Sequence, residues 1–444
     1  METNAKNYII LTYGCQMNVR DSETIAGLLE TEGYSAVRQL EEADLVVVNT
    51  CSVRHSAENK VYGKLGEIQQ LKREYPHIKV AFGGCMAHQP EVIKRIKSKV
   101  DLIFGTSNLS ELPQLLHQMT ESGRRSPIMA IPDQTQIIDQ PLPVRRSQEV
   151  SAFVNIMYGC NNFCSYCIVP YTRGRERSRT AKDILTELRD LAAQGYKEVT
   201  LLGQNVNSYG RGLAEDIDFA GLLQQAAAVE GLERIRFTTS HPRDVSERLI
   251  AVMAEEDKIC EHIHVALQSG STAVLKRMNR HYSREDYYKL IETMRAAIPE
   301  LAISTDIIVG FPGETEQDFT DTLELMKDIR FDSAFTFMFS PRTGTPAAVM
   351  EEQLPREVKQ RRLTELNSIQ YTIAAEKNRQ LLGRVVEVLV EGPSKSNPDF
   401  LSSRTRGNHI VLFPEGKELT GHLINVRIKE AKTFSIFGEL ATNE

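Results

Sequence analysis

Along the first third of the chain, continuous apolar runs alternate with segments of helical period. YIILTYG (8–14), DLVVVNT (44–50) and KVAFGG (79–84) are apolar at successive positions, the pattern of parallel strands covered on both faces. SETIAGLLETEG and ENKVYGKLGEIQQLKREY lie between them with helical spacing. This alternation predicts an open, doubly wound parallel sheet, whose ligands gather beyond the carboxyl ends of the strands. Each run leads directly into a cysteine: Cys15, Cys51 and Cys85.

Residues 121–148 hold four prolines and no clear period, which predicts an interdomain linker over 122–145. From 150 to 340 the alternation resumes with a longer stride, through FVNIM (153–157), VTLLG (199–203), IRFTT (235–239), HIHVAL (262–267), ISTDIIVG (303–310) and SAFTFMF (333–339). The intervening helices are well marked; TAKDILTELRDLAAQG opens on a capping box of Thr180 and Asp183 and stops at Gly195. Six strands instead of the eight of a closed barrel predict an incomplete (β/α)6 barrel with its chemistry on the loops after the strands. Residues 351–378 read as a polar connecting helix. After Gly383 the period shortens to four strands, RVVEVLVEG, NHIVLFPEG, HLINVRIKEA and FSIFGEL, which predict a small β-barrel. The α/β chain therefore divides into domains at 6–121, 146–376 and 379–442.

The loop after the first barrel strand carries Cys160, Cys164 and Cys167, spaced C-x3-C-x2-C. Thiolates bind soft metals and iron-sulfur clusters, and a four-iron cube normally asks for four of them. Three leave one iron open to chelate a small ligand. The alternatives are a zinc knuckle short of a ligand, the next histidine being His241, or three separate buried thiols. Cys15, Cys51 and Cys85 lie 36 and 34 residues apart at three equivalent strand ends, so one sheet edge would gather them for a second cluster. The alternative is three small buried apolar residues.

The other strand ends of the barrel offer Gln204, Asn205, Ser240, Gln268, Asp306 and Gly310, a polar mouth suited to a small cofactor. His241, His262 and His264 read as structural and Cys260 as packing. Arg173, Arg175, Arg177 and Arg179 follow the cysteine loop, and core packing does not explain four guanidinium groups in a row. They pair with carboxylates or meet phosphate or substrate. The linker arginines, Arg124, Arg125, Arg145 and Arg146, read as solvated or as phosphate contacts.

Composition narrows the class. At 444 residues the chain suggests about two to four domains. Charged residues are 25% and hydrophobic ones 41%, as in soluble globular proteins. With a net charge of −6, contact with nucleic acid needs a local basic surface. Residues 379–442 supply a candidate: nine Lys or Arg against seven Asp or Glu, with Arg404 and Arg406 expected on a loop between strands. Seven cysteines without a signal-peptide pattern suit a reducing cytoplasm. No apolar stretch reaches the roughly 18 residues of a membrane span.

At the cysteine loop, with the aromatic Tyr166 before its last cysteine, the sequence resembles the radical S-adenosylmethionine (SAM) superfamily. The resemblance implies that SAM chelates the open iron, that an electron from the cluster breaks its sulfonium to give a 5'-deoxyadenosyl radical, and that the polar strand ends hold SAM. Over nearly its whole length the chain resembles the methylthiotransferase family, through YGCQMN (13–18), NTCSVR (49–54), GGCMA (83–87), LLGQNVNSYG, RFTTSHP, LQSGS and FSPRTGTPA (339–347). CQMN, QNVN and TTSHP resemble the branch that methylthiolates carbon 2 of N(6)-dimethylallyladenosine beside the anticodon. What this implies is a pair of [4Fe-4S] clusters, SAM as methyl donor and radical source, and sulfur delivered through an auxiliary cluster at Cys15, Cys51 and Cys85. It further implies a C-terminal TRAM barrel gripping the tRNA anticodon arm and an electron donor and a sulfur source of unknown identity; a monomer is the expected state. Sister branches act on threonylcarbamoyladenosine or on a ribosomal-protein aspartate and share the clusters. A non-catalytic iron-sulfur RNA-binding protein is the remaining alternative, which cleavage of SAM would dismiss.

Overall fold

In a computed structural model the chain is described at residues 6–52, 55–121, 126–131, 142–414 and 416–441. It forms two compact units. One takes the chain up to Ser147 with Met157–Phe163 and Cys167–Arg179; the other takes Gln148–Ile156, Cys164–Tyr166 and the chain from Thr180.

The first unit is built on a parallel sheet of β1 (Lys6–Thr12), β2 (Tyr34–Ala36), β3 (Leu45–Thr50), β4 (Lys79–Gly84), β5 (Leu102–Phe104) and β6 (Ile128–Ala130), in the order β2-β1-β3-β4-β5-β6. Its helices are α1 (Gln16–Thr31), α2 (His55–Glu74), α3 (Pro90–Ile96) and α4 (Leu112–Glu121). Leu45 and Val47 share a core with Ile25 and Leu29 of α1 and with Leu112 and Leu116 of α4. Val46 and Val48 face the opposite core, with Val61, Leu65 and Ile68 of α2 and Ile96 of α3. Each such side chain stabilises the fold by about 1.5–3 kcal/mol, which explains why Leu45–Val48 of β3 is apolar on both faces. Strand order reverses between β1 and β3, so a crevice opens beyond the ends of those two strands.

Strands β2, β5 and β6 are three residues each, too short for a hydrophobic period to reveal. Strand β6 lies inside the stretch expected to be a linker, so that expectation is corrected: Ile128–Ala130 completes the sheet against Leu102–Phe104. Arg124 and Arg125 lie outside the described residues. Arg145 pairs with Glu30 at 2.9 Å and Arg146 with Glu23 at 3.3 Å, both carboxylates of α1.

The second unit begins with β7 (Ser151–Asn155). The chain then returns to the first unit for a short hairpin, β8 (Met157–Tyr158) against β9 (Arg177–Ser178), and for α5 (Val169–Thr172). Back in the second unit, β10 (Glu198–Leu202) and β11 (Arg234–Thr238) make a parallel sheet with β7 in the order β11-β10-β7. Strands β12 (His262–His264), β13 (Ala302–Val309) and β14 (Ser333–Met338) make a second parallel sheet. Bridges Ile235↔Ile259 and Ser240↔Val265 join the two. The six strands thus run in sequence order around an arc, and among the described residues no pairing closes β14 onto β7. This is the incomplete (β/α)6 barrel.

Its outer helices are α6 (Ala181–Ala193), α7 (Phe219–Ala227), α8 (Glu247–Glu255), α9 (Thr272–Arg277), α10 (Arg284–Ala297) and α11 (Glu316–Ile329). Thr180 caps α6 by accepting the Asp183 N–H, but the Asp183 carboxylate takes the Thr180 hydroxyl instead of its backbone N–H. The cap is half of the predicted box. Complete boxes stand at Ser283/Asp286 and Thr315/Asp318.

Helix α12 (Arg356–Arg379) starts after Pro355, five residues later than the predicted 351, because proline is tolerated at a helix start but not in its interior. It is more than a polar tether. Arg362, Leu366, Gln370 and Ile373 are buried, and Arg362 pairs with Glu314 at 2.9 Å with both side chains under 5% exposed. The chain ends in a closed barrel of β15 (Val385–Pro393), β16 (Leu401–Thr405), β17 (Ile410–Phe413), β18 (Leu423–Ala431) and β19 (Ile436–Leu440), in the order β15-β16-β17-β19-β18. Strand β16, LSSRT, escaped the hydrophobic pattern because serines fill its inward and outward positions alike. No described helix is long and apolar enough to cross a membrane.

Candidate functional site

The carboxyl ends of β1, β3 and β4 bring Cys15, Cys51 and Cys85 together in the first unit. Two glycines permit the approach. A Cβ on Gly14 (φ +128°) would stand 2.5 Å from the Cys51 Cβ, and one on Gly84 (φ +90°) would stand 2.3 Å from the Thr50 carbonyl oxygen. Cys51 and Cys85 are buried and Cys15 is half-buried. Asn18, one turn into α1, laces the loops: its Nδ2 donates to the Tyr13 carbonyl at 3.0 Å and the Thr50 carbonyl at 2.7 Å. Asn49 donates back to the Asn18 carbonyl at 2.9 Å. These two asparagines are the polar letters of CQMN and NTC, and their work is to fasten β1 to β3.

Arg173, just after α5, reaches into the same place. Its Nε donates to the Cys85 Sγ at 3.3 Å, and its Nη2 donates to Asn18 Oδ1 at 3.1 Å and Asp21 Oδ2 at 2.8 Å. Burial opposes the charge, but Cys85, Asp21 and Cys15 outweigh it and hold the guanidinium well above its ordinary range. Of the two roles expected for it, carboxylate partner or phosphate and substrate contact, the structure shows the first: Arg173 pairs with Asp21 at 2.8 Å and is buried, with a side chain 5% exposed. Neighbouring His88 is kept neutral, pushed down to about 4 by burial and then by Arg173.

On the second cysteine loop, Gly159 (φ +75°) lets the chain pass where a Cβ would strike the Arg175 carbonyl oxygen at 2.1 Å. The Cys160 N–H donates to the Gly174 carbonyl at 3.1 Å. Exposed Arg175 lies over the Phe163 ring at 4.3 Å. In the second unit, the Ser165 N–H and hydroxyl donate to the Met278 and Arg277 carbonyls at 3.0 and 2.8 Å. Buried Arg280 donates from Nη1 to the Cys164 Sγ at 3.5 Å, from Nη2 to the Ala266 carbonyl at 2.7 Å and from Nε to the Tyr282 hydroxyl at 3.0 Å. Burial pushes the Tyr282 phenol up to about 12, so it stays protonated. No motif announced Arg280; it reaches Cys164 only because α9 ends beside the loop.

The strand-end residues differ in what they are free to do. Asn205 is buried and spent on structure: Oδ1 accepts from the His241 N–H at 3.1 Å and Nδ2 donates to Asp244 at 2.7 Å. Ser240 is 1% exposed, and its Oγ has no hydrogen-bond partner among the described residues. Gln268 holds φ +70° between two backbone hydrogen bonds to β13. Asp306 lies 3.4 Å from His264 Nε2, while His262 and His264 both meet the Ser304 hydroxyl at 3.1 Å, which fits their structural reading. Gly310 (φ +72°) has Lys359 where a Cβ would go, at 2.3 Å, and its N–H donates to Glu314 at 2.6 Å. Gln204 sits in the turn after β10, half-buried. Beside that turn a cavity of about 640 Å³ opens at the carboxyl ends of β10 and β11, lined by Asn207, Tyr209, Arg211, Arg243 and Asp244. Cys260 is buried and its thiol is pushed up to about 11 by burial, as a packing residue should be.

Arg404 and Arg406 are engaged within the second unit. Arg404 lies in β16, not on a loop, and pairs with Glu391 at 2.7 Å. Arg406 makes a two-pronged contact with Glu261, at 2.7 Å on each oxygen, and donates to the Ile259 carbonyl. Arg234 and Arg236 reciprocate by donating to the Arg404 and Thr405 carbonyls at 2.7 Å. Arg406, Arg234 and Arg236 lash the terminal barrel to the (β/α)6 core, while the Arg404 side chain stays within the barrel.

The donor set suits iron-sulfur chemistry. Both cysteine groups are all-thiol, each has an arginine N–H directed at one sulfur, and none of the seven cysteines forms a disulfide. Among the described residues no three His, Cys, Asp or Glu side chains close on one point as a single ion requires. A cube seats each thiolate on a different iron, so its ligands stand apart.

Residues 154–326 match the radical SAM superfamily, 7–105 an uncharacterized protein family, UPF0004, and 379–441 the TRAM domain. The chain is 62% identical over 440 residues to a tRNA-2-methylthio-N(6)-dimethylallyladenosine synthase of Syntrophomonas wolfei subsp. wolfei, covering 99% of this chain and 98% of that protein. It is 52% identical over 438 residues to the like-named protein of Moorella thermoacetica, covering 98% of each. Among solved structures, the radical SAM methyltransferase TsrM of Kitasatospora setae, with cobalamin and a [4Fe-4S] cluster bound, superposes with a TM-score of 0.58 at 15% identity over 78% of this chain and 77% of that one. That is a likeness of fold.

Proposed function

Because the chain belongs to the tRNA-2-methylthio-N(6)-dimethylallyladenosine synthase family of radical SAM methylthiotransferases, we propose that its two cysteine groups are the seats of two [4Fe-4S] clusters with separate duties. The protein is an enzyme that places a methylthio group on carbon 2 of N(6)-dimethylallyladenosine in tRNA. That carbon–hydrogen bond is neither acidic nor beside a leaving group, so positioned acids and bases alone do not open it. When bound, the clusters and SAM supply reducing power, hydrogen abstraction and methylated sulfur.

In this reading Cys160, Cys164 and Cys167 ligate three irons and leave the fourth for SAM. Gln204, Ser240, Gln268 and Asp306 face SAM at the barrel mouth; the unsatisfied Ser240 hydroxyl suits a polar cofactor. Asn205 and Gly310 shape that mouth. Cys15, Cys51 and Cys85 ligate the auxiliary cluster in the crevice beyond the carboxyl ends of β1 and β3. The terminal barrel grips the anticodon arm, with exposed Arg175 offered to the phosphate backbone. An external reductant and sulfur donor serve a monomer in the cytoplasm.

The observation that carries this reading is three cysteines at the carboxyl ends of three adjacent parallel strands, beside the crevice where strand order reverses. Nucleoside mass spectrometry of tRNA from a deletion strain tests it. The methylthiolated nucleoside should vanish and its N(6)-dimethylallyladenosine precursor accumulate. Unchanged methylthio-nucleoside would reject the assignment.

A further inference from the structure

We propose that Arg173 is a positioning residue for the auxiliary cluster, holding it and setting its reduction potential through Cys85. The inference rests on the reading of Cys15, Cys51 and Cys85 as cluster ligands. A two-plus cube held by three thiolates carries net negative charge, and one further electron adds to it. Asp21, 8% exposed in its side chain, brings another negative charge to the same buried place. Arg173 is the cation that meets them all: Nε on the Cys85 sulfur at 3.3 Å, Nη2 on Asp21 at 2.8 Å and on Asn18 at 3.1 Å.

The planar fork matters as much as the charge. Nε and Nη2 point to one side of the guanidinium, so fixing Nη2 on two partners fixes the direction of the Nε–H toward sulfur. Asn18 is itself fixed by the carbonyls of Tyr13 and Thr50, two residues before Cys15 and one before Cys51. A displacement of Arg173 is therefore felt at all three cysteines. Hydrogen bonds to sulfur and local net charge are among the protein's levers on cluster potential, and loss of a partner that orients a ligand costs about 10–100-fold in metal retention. Chain order adds a consequence. Arg173 stands six residues after Cys167, so the strand of chain that follows the SAM cluster loop also delivers the auxiliary cluster's counter-charge.

The test uses the full chain with Cys160→Ala, Cys164→Ala and Cys167→Ala, which leaves the auxiliary site alone. It is reconstituted anaerobically with iron and sulfide and followed by iron counting, release of iron to a chelator, and a redox titration read by electron paramagnetic resonance. Arg173→Gln should move the midpoint potential to more negative values and speed iron release about 10-fold or more. Arg173→Lys should recover part of the potential but not the retention, because it restores charge without the fork. Asp21→Asn should move the potential the opposite way, and it keeps the test open where Arg173→Gln misfolds. A parent that takes up no cube overturns the cysteine assignment and this inference with it. A parent that takes up a cube whose potential and retention ignore both Arg173→Gln and Asp21→Asn overturns the inference alone.

Discussion

Gly84→Ala isolates the backbone geometry that lets the first cysteine group assemble. Gly84 has φ +90° and ψ −168°, a region that essentially glycine alone visits, and an alanine there costs about 1–3 kcal/mol. The added methyl would also stand 2.3 Å from the Thr50 carbonyl oxygen and 2.6 Å from Asn49 Oδ1. Neither atom can retreat easily: Thr50 is paired in register with Gly84, and the Asn49 amide is tied to Asn18 and Ser22. Overpacking of this kind costs about 1–3 kcal/mol more. The sum, about 2–6 kcal/mol, falls on the strand ends that present Cys51 and Cys85. Hydrogen exchange on the iron-free protein reads it locally: amides of β3 and β4 should exchange at least about 30-fold faster, at tenfold per 1.4 kcal/mol. Iron uptake should fall toward one cube. Gly33→Ala is the control, with φ +82° in the same unit but nothing within 4 Å of the new methyl, so it bears only the conformational part. A Gly84→Ala protein whose β3–β4 amides exchange no faster than those of Gly33→Ala, and which keeps all its iron, would refute the reasoning.

Three further outcomes follow from the same geometry. Cys85→Ala should still cleave SAM but form no methylthiolated nucleoside, and its iron content should drop from about eight to about four per chain; product from this variant would remove the auxiliary site from the mechanism. Arg236→Ala should strand Glu198, whose side chain is 4% exposed, and loosen the terminal barrel by about 3–5 kcal/mol, visible as faster proteolysis between α12 and β15 and a lower Tm. Acid should weaken the (β/α)6 core through His241, whose imidazole burial and then Arg280 push down to about 3. The unfolded chain binds that proton near pH 6.5, so His241 contributes its stabilisation above 6.5 and loses it as pH falls toward 3. The slope is about 1.4 kcal/mol per pH unit, or about 2 kcal/mol between pH 6.5 and 5. His241→Asn should flatten that part of the curve of Tm against pH, and an unchanged curve would show that other groups set it.

The succession of doubly wound sheet, incomplete (β/α)6 barrel and small β-barrel was open to reading because its signals are local. A doubly covered stretch such as Leu45–Val48 is apolar on both faces, and an amphipathic helix must repeat its apolar face, whatever the rest of the molecule does. The two cysteine groups were equally visible, since C-x3-C-x2-C and a cysteine after each of three apolar runs depend on spacing and not on partners. Short elements hid for the converse reason. Leu102–Phe104 and Ile128–Ala130 are strands because a neighbour supplies their hydrogen bonds, and three residues contain no period of their own; Leu401–Thr405 alternates in burial but carries serine on both faces.

The arginines divide the same way. Arg173, Arg175, Arg404 and Arg406 look alike on paper, each in a basic stretch beside a plausible phosphate. Folding gives Arg175 a surface place over Phe163, buries Arg173 against Cys85 and Asp21, and commits Arg404 and Arg406 to Glu391 and Glu261. A guanidinium's role is settled by which carboxylate, carbonyl or sulfur comes within about 3 Å of it, and the carboxylates that hold Arg173, Arg404 and Arg406 lie between 13 and 152 residues away along the chain. Periodicity and ligand spacing are inherited from neighbours in the chain; charge compensation is inherited from neighbours in space.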